Sequence, residues 1–130
     1  MGDEIIKKEC PFCSRSRTNE VLVESELAVA FYDKYPVNLG HTLIIPRRHC
    51  ASYFDLTLIE QNECWKLVAE TKMMIEELYK PNGFNIGINV GKAAGQTIFH
   101  VHIHLIPRYE NDVPSPEGGV RGVIPNKMKY

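Results

Sequence analysis

The sequence predicts an α+β fold built on a five-stranded antiparallel sheet, with one long helix and one short helical turn. Five short apolar-rich stretches, at about 21–23, 27–32, 41–46, 84–90 and 98–106, have the length and bounding turn residues of strands. A single long helical pattern, roughly 57–79, separates the third from the fourth. Few helices beside several strands joined by hairpin-length connections favour antiparallel pairing. With 130 residues, 44% of them apolar and 24% charged, the chain suits one compact domain, 1–130, that needs no disulfide staple.

Taken in order, Cys10–Arg15 reads as a short turn or helix. In the long helix Ile59, Leu67, Val68, Thr71, Ile75 and Leu78 recur at three- and four-residue steps, which places them on one face. Thr57-Leu-Ile-Glu60 is a capping box at its start, and Pro81-Asn-Gly83 stops it. Trp65, at the edge of the stripe, is expected to pack in the core, with a subunit interface as the second reading. Cys64 reads as a helix-core residue and Cys50 as a bystander. In the last strand, alternation sends Phe99, Val101, Ile103 and Leu105 to the core. Residues 112–130 form a Pro- and Gly-rich arm, a loop ordered by contact or covering a partner rather than another strand. So small a sheet has edges to protect, which is compatible with pairing to a second subunit.

Charge and targeting narrow the function. Fifteen basic and 16 acidic residues give a net charge of −1 with no long run of either sign. That balance argues against a groove for duplex nucleic acid or a grip on an anionic membrane. The N-terminal segment has no apolar core of signal-peptide length, and Ile6 stands where an acylation signal after Gly2 needs Ser or Thr. No apolar run approaches membrane-spanning length. A cytoplasmic protein is expected, in which the cysteines are free thiols or metal ligands. Cys10-Pro-Phe-Cys13 alone is open between a redox dithiol and a zinc half-site, although it does not follow a strand in a βαβ unit as a thioredoxin-like pair would.

The segment Ile98-Phe-His100-Val-His102-Ile-His104-Leu-Ile-Pro107 carries the chemistry. On a strand its three imidazoles fall on one face at steps of roughly 6.5–7 Å, where valine or threonine would make a better strand. Three histidines in register suit either a metal site or catalysis by a neutral imidazole. Just upstream, Asn89-Val-Gly-Lys-Ala-Ala-Gly95-Gln-Thr97 is a glycine-bearing loop whose backbone N–H groups, with Gln96 and Thr97, could meet an anion. It lacks the Gly-Lys-Ser/Thr of a Walker loop, and a tight hairpin explains it as well.

His100-Val-His102-Ile-His104-Leu-Ile106 resembles the His-φ-His-φ-His-φ-φ signature of the histidine triad superfamily, φ being apolar. Asp33, Gly40-His-Thr-Leu-Ile-Ile-Pro46, Asn89 and Gly95-Gln-Thr97 extend the likeness over about 100 residues, from Cys10 to Pro107. It is most similar to the branch of the fragile histidine triad protein and the prokaryotic dinucleoside polyphosphate hydrolases. The resemblance implies the HIT-like fold, a homodimer, and a hydrolase or nucleotidyl transferase acting at the α-phosphate of a purine nucleotide. Substrates of that class include dinucleoside polyphosphates and nucleoside phosphoramidates; the alternative is a purine nucleotide-binding adaptor with little turnover.

By the same resemblance His102 is the nucleophile, His104 contacts phosphate oxygens, and His100 supports them. Gly95, Gln96 and Thr97 would steady the transferred group, Asp33 the ribose, and His41 and Asn89 would complete the pocket. Phe12, Phe31 and Leu43 fall where the base is sandwiched, although as strand or turn residues they suit the core equally. Cysteine-bearing members carry a structural zinc, which here implies Cys10, Cys13, His49 and His100 as its ligands. The tail departs from the characterised animal proteins, and its Arg121 reads as solvated rather than as a contact to a distal phosphate.

Overall fold

Cys10 caps a one-turn helix, α1 (Pro11–Arg15), which leads into β1 (Val23–Glu24), β2 (Ala28–Tyr32) and β3 (Thr42–Pro46). The long helix α2 (Leu58–Tyr79) follows, then β4 (Gly83–Ile88) and β5 (Ile103–Arg108). The strands form one sheet in the order β1-β2-β3-β5-β4, with every pairing antiparallel. This computed structural model describes Lys7 and residues 9–130. Residues 1–6 and Lys8, on which the reading of an N-terminus without export or acylation signal rests, lie outside the described residues.

The central strands are covered on both faces, and their alternation decides which side chain goes where. Ala28, Ala30, Ile44, Ile103 and Leu105 pack against Cys64, Leu67 and Val68 of α2. The intervening Val29, Phe31, Leu43 and Ile45 pack against Cys10, Phe12 and Cys13 of α1. Helix α2 starts at a true capping box: the Thr57 hydroxyl accepts from the Glu60 N–H at 3.1 Å, and the Glu60 carboxylate accepts from the Thr57 N–H at 2.9 Å. The same carboxylate holds the Arg48 guanidinium at 2.8 and 2.9 Å, tying the start of the helix to the segment that follows β3. At the other end Lys80 turns left-handed (φ 53°) just before Pro81.

Several expectations need correcting. Ile59 and Leu78 are 70% and 61% exposed. Ile59 lies five residues before Cys64, about 140° round the helix. Leu78 lies in the last turn beyond Ile75, the final buried position. The stripe is completed instead by Glu60, whose charge is paired, and by the thiol of Cys64. Trp65 is not in the core; it is partly exposed and donates its indole N–H to the Tyr53 hydroxyl at 3.0 Å.

The histidine segment is a strand only from Ile103 onward. Pairing of β3 with β5 runs from Thr42↔Leu105 to Ile44↔Ile103 and stops. Beyond it an imidazole, not a strand backbone, meets the Pro46 carbonyl: His100 Nε2 lies 2.7 Å from that oxygen. The chain therefore peels away, Phe99 is exposed rather than core, and Val101 packs in a separate cluster with Cys50, Leu56 and Tyr53. The arm, 112–130, contains no strand; its 3₁₀ turns at Gly119–Val123 and Pro125–Lys127 include one that lies against β4. Arg121, though exposed, donates to the Lys127 and Met128 carbonyls and stacks on Tyr130, so its guanidinium is held within the arm.

This packing predicts opposite outcomes for two apolar residues of α2. Leu67→Ala should cost about 2–5 kcal/mol, and Ile59→Ala no more than about 0.5 kcal/mol, both read from urea denaturation midpoints.

Candidate active site

The sheet register sets the site. Leu43↔His104 and Gly87↔His104 are direct cross-strand pairs, so the His104 ring stands over the same face as Leu43, opposite α2. The one-turn helix α1 covers the neighbouring part of that face. Between them opens a cavity of about 510 Å³. His102 and His104 border it, with Asn89, Gly95 and Thr97 from the loop before them. Its other walls include Asp33, His41, Phe12 and Leu43.

Hydrogen bonds assign the tautomers. His102 Nδ1 lies 2.8 Å from the His100 carbonyl, which can only accept, so Nδ1 carries the proton and Nε2 keeps its lone pair. Burial lowers the pKa of His102, against smaller opposing effects of that hydrogen bond and of Asp33, which favours the neutral ring. On the other side the Val37 N–H donates to His41 Nδ1 at 3.1 Å, so His41 bears its proton on Nε2. That nitrogen is 3.0 Å from His104 Nδ1 and 3.5 Å from Asp33 Oδ2. Accepting at Nδ1 leaves His104 with a donor at Nε2. Adjacent rings, with centroids 5.1 Å apart, thus present a lone pair and an N–H respectively.

Three of the expected residues do not line the cavity. The Gln96 carbonyl accepts from the Gly91 N–H at 2.9 Å, and its amide donates to the Ala51 and Ile98 carbonyls at 2.8 and 3.1 Å. Those bonds commit the side chain to holding the loop rather than facing a ligand. The backbone N–H groups of Gly95 and Gln96 are likewise bonded to carbonyls of their own loop, whose flanking Gly91 and Gly95 take φ of 90° and 95°. Phe31 is fully buried beneath Phe12, at 5.6 Å between centroids. His100 is also fully buried and faces the cysteines.

Around His100 lies a second constellation. Cys10 Sγ and Cys13 Sγ are each 3.5 Å from His100 Nδ1, and Cys13 Sγ is 3.4 Å from His49 Nδ1. All four candidate ligand atoms fall within 4.8 Å of one another. A tetrahedral zinc with the usual bond lengths sets its ligands about 3.3–3.8 Å apart, so the donor set and the spacing both fit. Because the Pro46 carbonyl takes the proton of His100 Nε2, Nδ1 turns a lone pair toward the sulfurs. Four protein ligands leave no open position for chemistry.

The HIT domain model matches residues 14–111 of the chain. The chain belongs to the HIT domain family. Relatives of this HIT protein include the asymmetrical bis(5'-nucleosyl)-tetraphosphatase of Schizosaccharomyces pombe, 37% identical over 94 residues, which are 72% of this chain and 52% of that one. A HIT family protein from Bacillus anthracis shares the fold at a TM-score of 0.73 and 39% identity, over 81% of this chain and 77% of that one. A zinc-bound histidine triad family protein from Mycobacterium smegmatis does so at 0.73 and 32%, over 82% and 80%. Among the described residues of this HIT chain no helix is long and apolar enough to cross a membrane.

The cavity also has walls that sequence reasoning missed: Arg15, Lys34, Tyr35, Val37 and Ile98. For Arg15 a signal existed, since three residues after Phe12 on a helix it shares that residue's face.

Acid should destabilise this HIT protein through His104. Its pKa is pushed down to about 4, first by burial and then by His102 and His41. Between that value and an unfolded value of about 6.5, the unfolded chain binds the proton and the folded one does not, so stability falls with falling pH across this window. Urea midpoints at pH 7 and pH 5 should differ less for His104→Asn than for the wild type.

Proposed function

We propose that the chain is a nucleotide hydrolase or nucleotidyl transferase in which His102 attacks the α-phosphorus of a dinucleoside polyphosphate or a nucleoside phosphoramidate. The observation that carries this reading is the bond from His102 Nδ1–H to the His100 carbonyl, which leaves Nε2 as a neutral nucleophile at the cavity wall. In the first step Nε2 forms a bond to phosphorus while the bond to the leaving oxygen or nitrogen breaks, and that atom departs with the electron pair. In the second step water or another acceptor attacks phosphorus, loses its proton, and returns the pair to Nε2.

The remaining residues bind and orient. His104 donates from Nε2 to a non-bridging phosphate oxygen, and the Thr97 hydroxyl supplies a second neutral donor. His41 keeps His104 in the donor tautomer. Asp33 takes the ribose hydroxyls, Asn89 closes the phosphate end, and Phe12 and Leu43 hold the base. Gln96 acts at one remove, by bracing the loop that carries Gly95 and Thr97. The fission-yeast relative, named as a dinucleoside tetraphosphatase, supports the substrate class.

A structural zinc held by Cys10, Cys13, His49 and His100 belongs to the same reading, supported by the spacing of those donors and by the zinc-bound relative. Zinc would pin α1 to the sheet and fix the plane of His100. We place the protein in the cytoplasm as a homodimer, a state compatible with β4 lying at the edge of the sheet.

Rapid-quench trapping with α-labelled diadenosine tetraphosphate should give a protein-bound label that is acid-labile and base-stable. His102→Ala should lose both that label and turnover while keeping the fold and nucleotide binding. Normal turnover by this variant refutes the mechanism, and a wild type with neither label nor turnover marks a binding module instead. Elemental analysis should find one zinc per wild-type chain and none in Cys13→Ser, with a lower Tm for the variant and for chelator-treated wild type.

A further inference from the structure

We infer that Arg15 selects the base, and that the nucleotide taken by this site is a 6-oxopurine nucleotide such as a guanosine or inosine derivative. The inference rests on the proposed reading of the cavity as a nucleotide site with its phosphate at His102.

Arg15 is 7% exposed and borders the same cavity as His102. The two are separated by aromatic rings. Phe12 lies 5.0 Å from His102 between centroids and 5.6 Å from Phe31, and the Arg15 guanidinium lies 4.0 Å over the Phe31 ring. His102 and Arg15 thus meet different rings of the stacked Phe12–Phe31 pair, and we take the Arg15 side as the base end of the cavity. A buried guanidinium is costly unless paired, and this one is held rigidly: Nε donates to Glu20 Oε1 at 2.8 Å and Nη2 to the Tyr32 carbonyl at 2.6 Å.

Those two bonds use two of the five N–H donors. Among the described residues only Nε and Nη2 of Arg15 have partners, and the residue lines the cavity, so the remaining N–H donors are the ones a ligand there could engage. The other non-histidine charged side chains that line the cavity are Lys34, again a donor, and Asp33. The Asp33 carboxylate already accepts from the Tyr35 N–H at 2.8 Å and lies 3.5 Å from His41 Nε2. A base that offers acceptors at the edge suits such a wall. Guanine and hypoxanthine present O6 and N7 side by side, the edge that a guanidinium reads in two bonds, whereas adenine puts its N6 amino donors there.

Calorimetry on the 130-residue chain with GMP, IMP and AMP tests the idea directly. GMP and IMP should bind about tenfold more tightly than AMP, or better, in keeping with one good guanidinium-to-base pair. Removing either acceptor from the ligand, with 7-deaza-GMP or 2-aminopurine riboside monophosphate, should erase most of that advantage without altering the protein. In R15M the ratio of GMP to AMP affinity should fall toward one. Equal or tighter binding of AMP by the wild type overturns the inference while leaving the nucleotide site standing. So does an R15M variant that weakens all three ligands in proportion, the mark of a purely structural arginine. Binding of none of them by the wild type overturns the site itself as well.

Discussion

The hydrogen bond from His100 Nε2–H to the Pro46 carbonyl, at 2.7 Å in a fully buried setting, is the contact on which the site depends. An unpaired donor or acceptor there would cost the full desolvation of a polar group, so the ring is strongly held. It occupies the oxygen at the end of β3 where β5 would otherwise continue, and the pairing stops at Ile103. It turns Nδ1 toward Cys10 and Cys13. The backbone carbonyl of the same residue then meets His102 Nδ1 at 2.8 Å. One imidazole thus joins the cysteine cluster to the orientation of its neighbour.

From that anchor the proton positions follow by elimination, because each chain of bonds starts from a backbone group whose role cannot change. A carbonyl can only accept, which settles His102; the Val37 N–H can only donate, which settles His41 and then His104. The outcome is two neighbouring rings in opposite tautomers, one presenting a lone pair and the other an N–H donor. Burial lowers the pKa of all three triad histidines, so neither tautomer is disturbed by protonation near neutral pH.

The fold around this pair is divided by function. The α2 side of the sheet is ordinary core, where Leu67, Ile103 and Leu105 supply burial and no chemistry. The α1 side is thin, a single helical turn holding Phe12, Cys13 and Arg15 over β2 and β3. Five residues cannot stabilise themselves as a helix. Their position depends on the thiols, on the Phe12–Phe31 contact and on the Arg15–Tyr32 bond, so the cavity and the cysteine cluster share one support.

Much was legible beforehand because it depends on local periodicity. The apolar runs at about 27–32 and 41–46, the capping box at Thr57, and the spacing of the three histidines each report a backbone geometry within a few residues. The resemblance carried by His100–Ile106 then brought in distant partners, and most of them do line one cavity. What local pattern could not express was competition for a hydrogen bond. Gln96 reads as a donor for phosphate, but the carbonyls of Ala51 and Ile98 claim its amide first. Phe99 reads as core by alternation, but the ring of His100 ends the strand before that alternation applies. Arg15, read from the sequence only as the end of a short turn, is fixed in the cavity wall by Glu20 and Tyr32. The order of residues along the chain thus determined the sheet, the helix and the spacing of the three histidines, all products of short-range geometry. Only the tertiary structure decided which nitrogen is free, which donors are spent and which charge faces the cavity, because those depend on groups brought together from far apart in the chain.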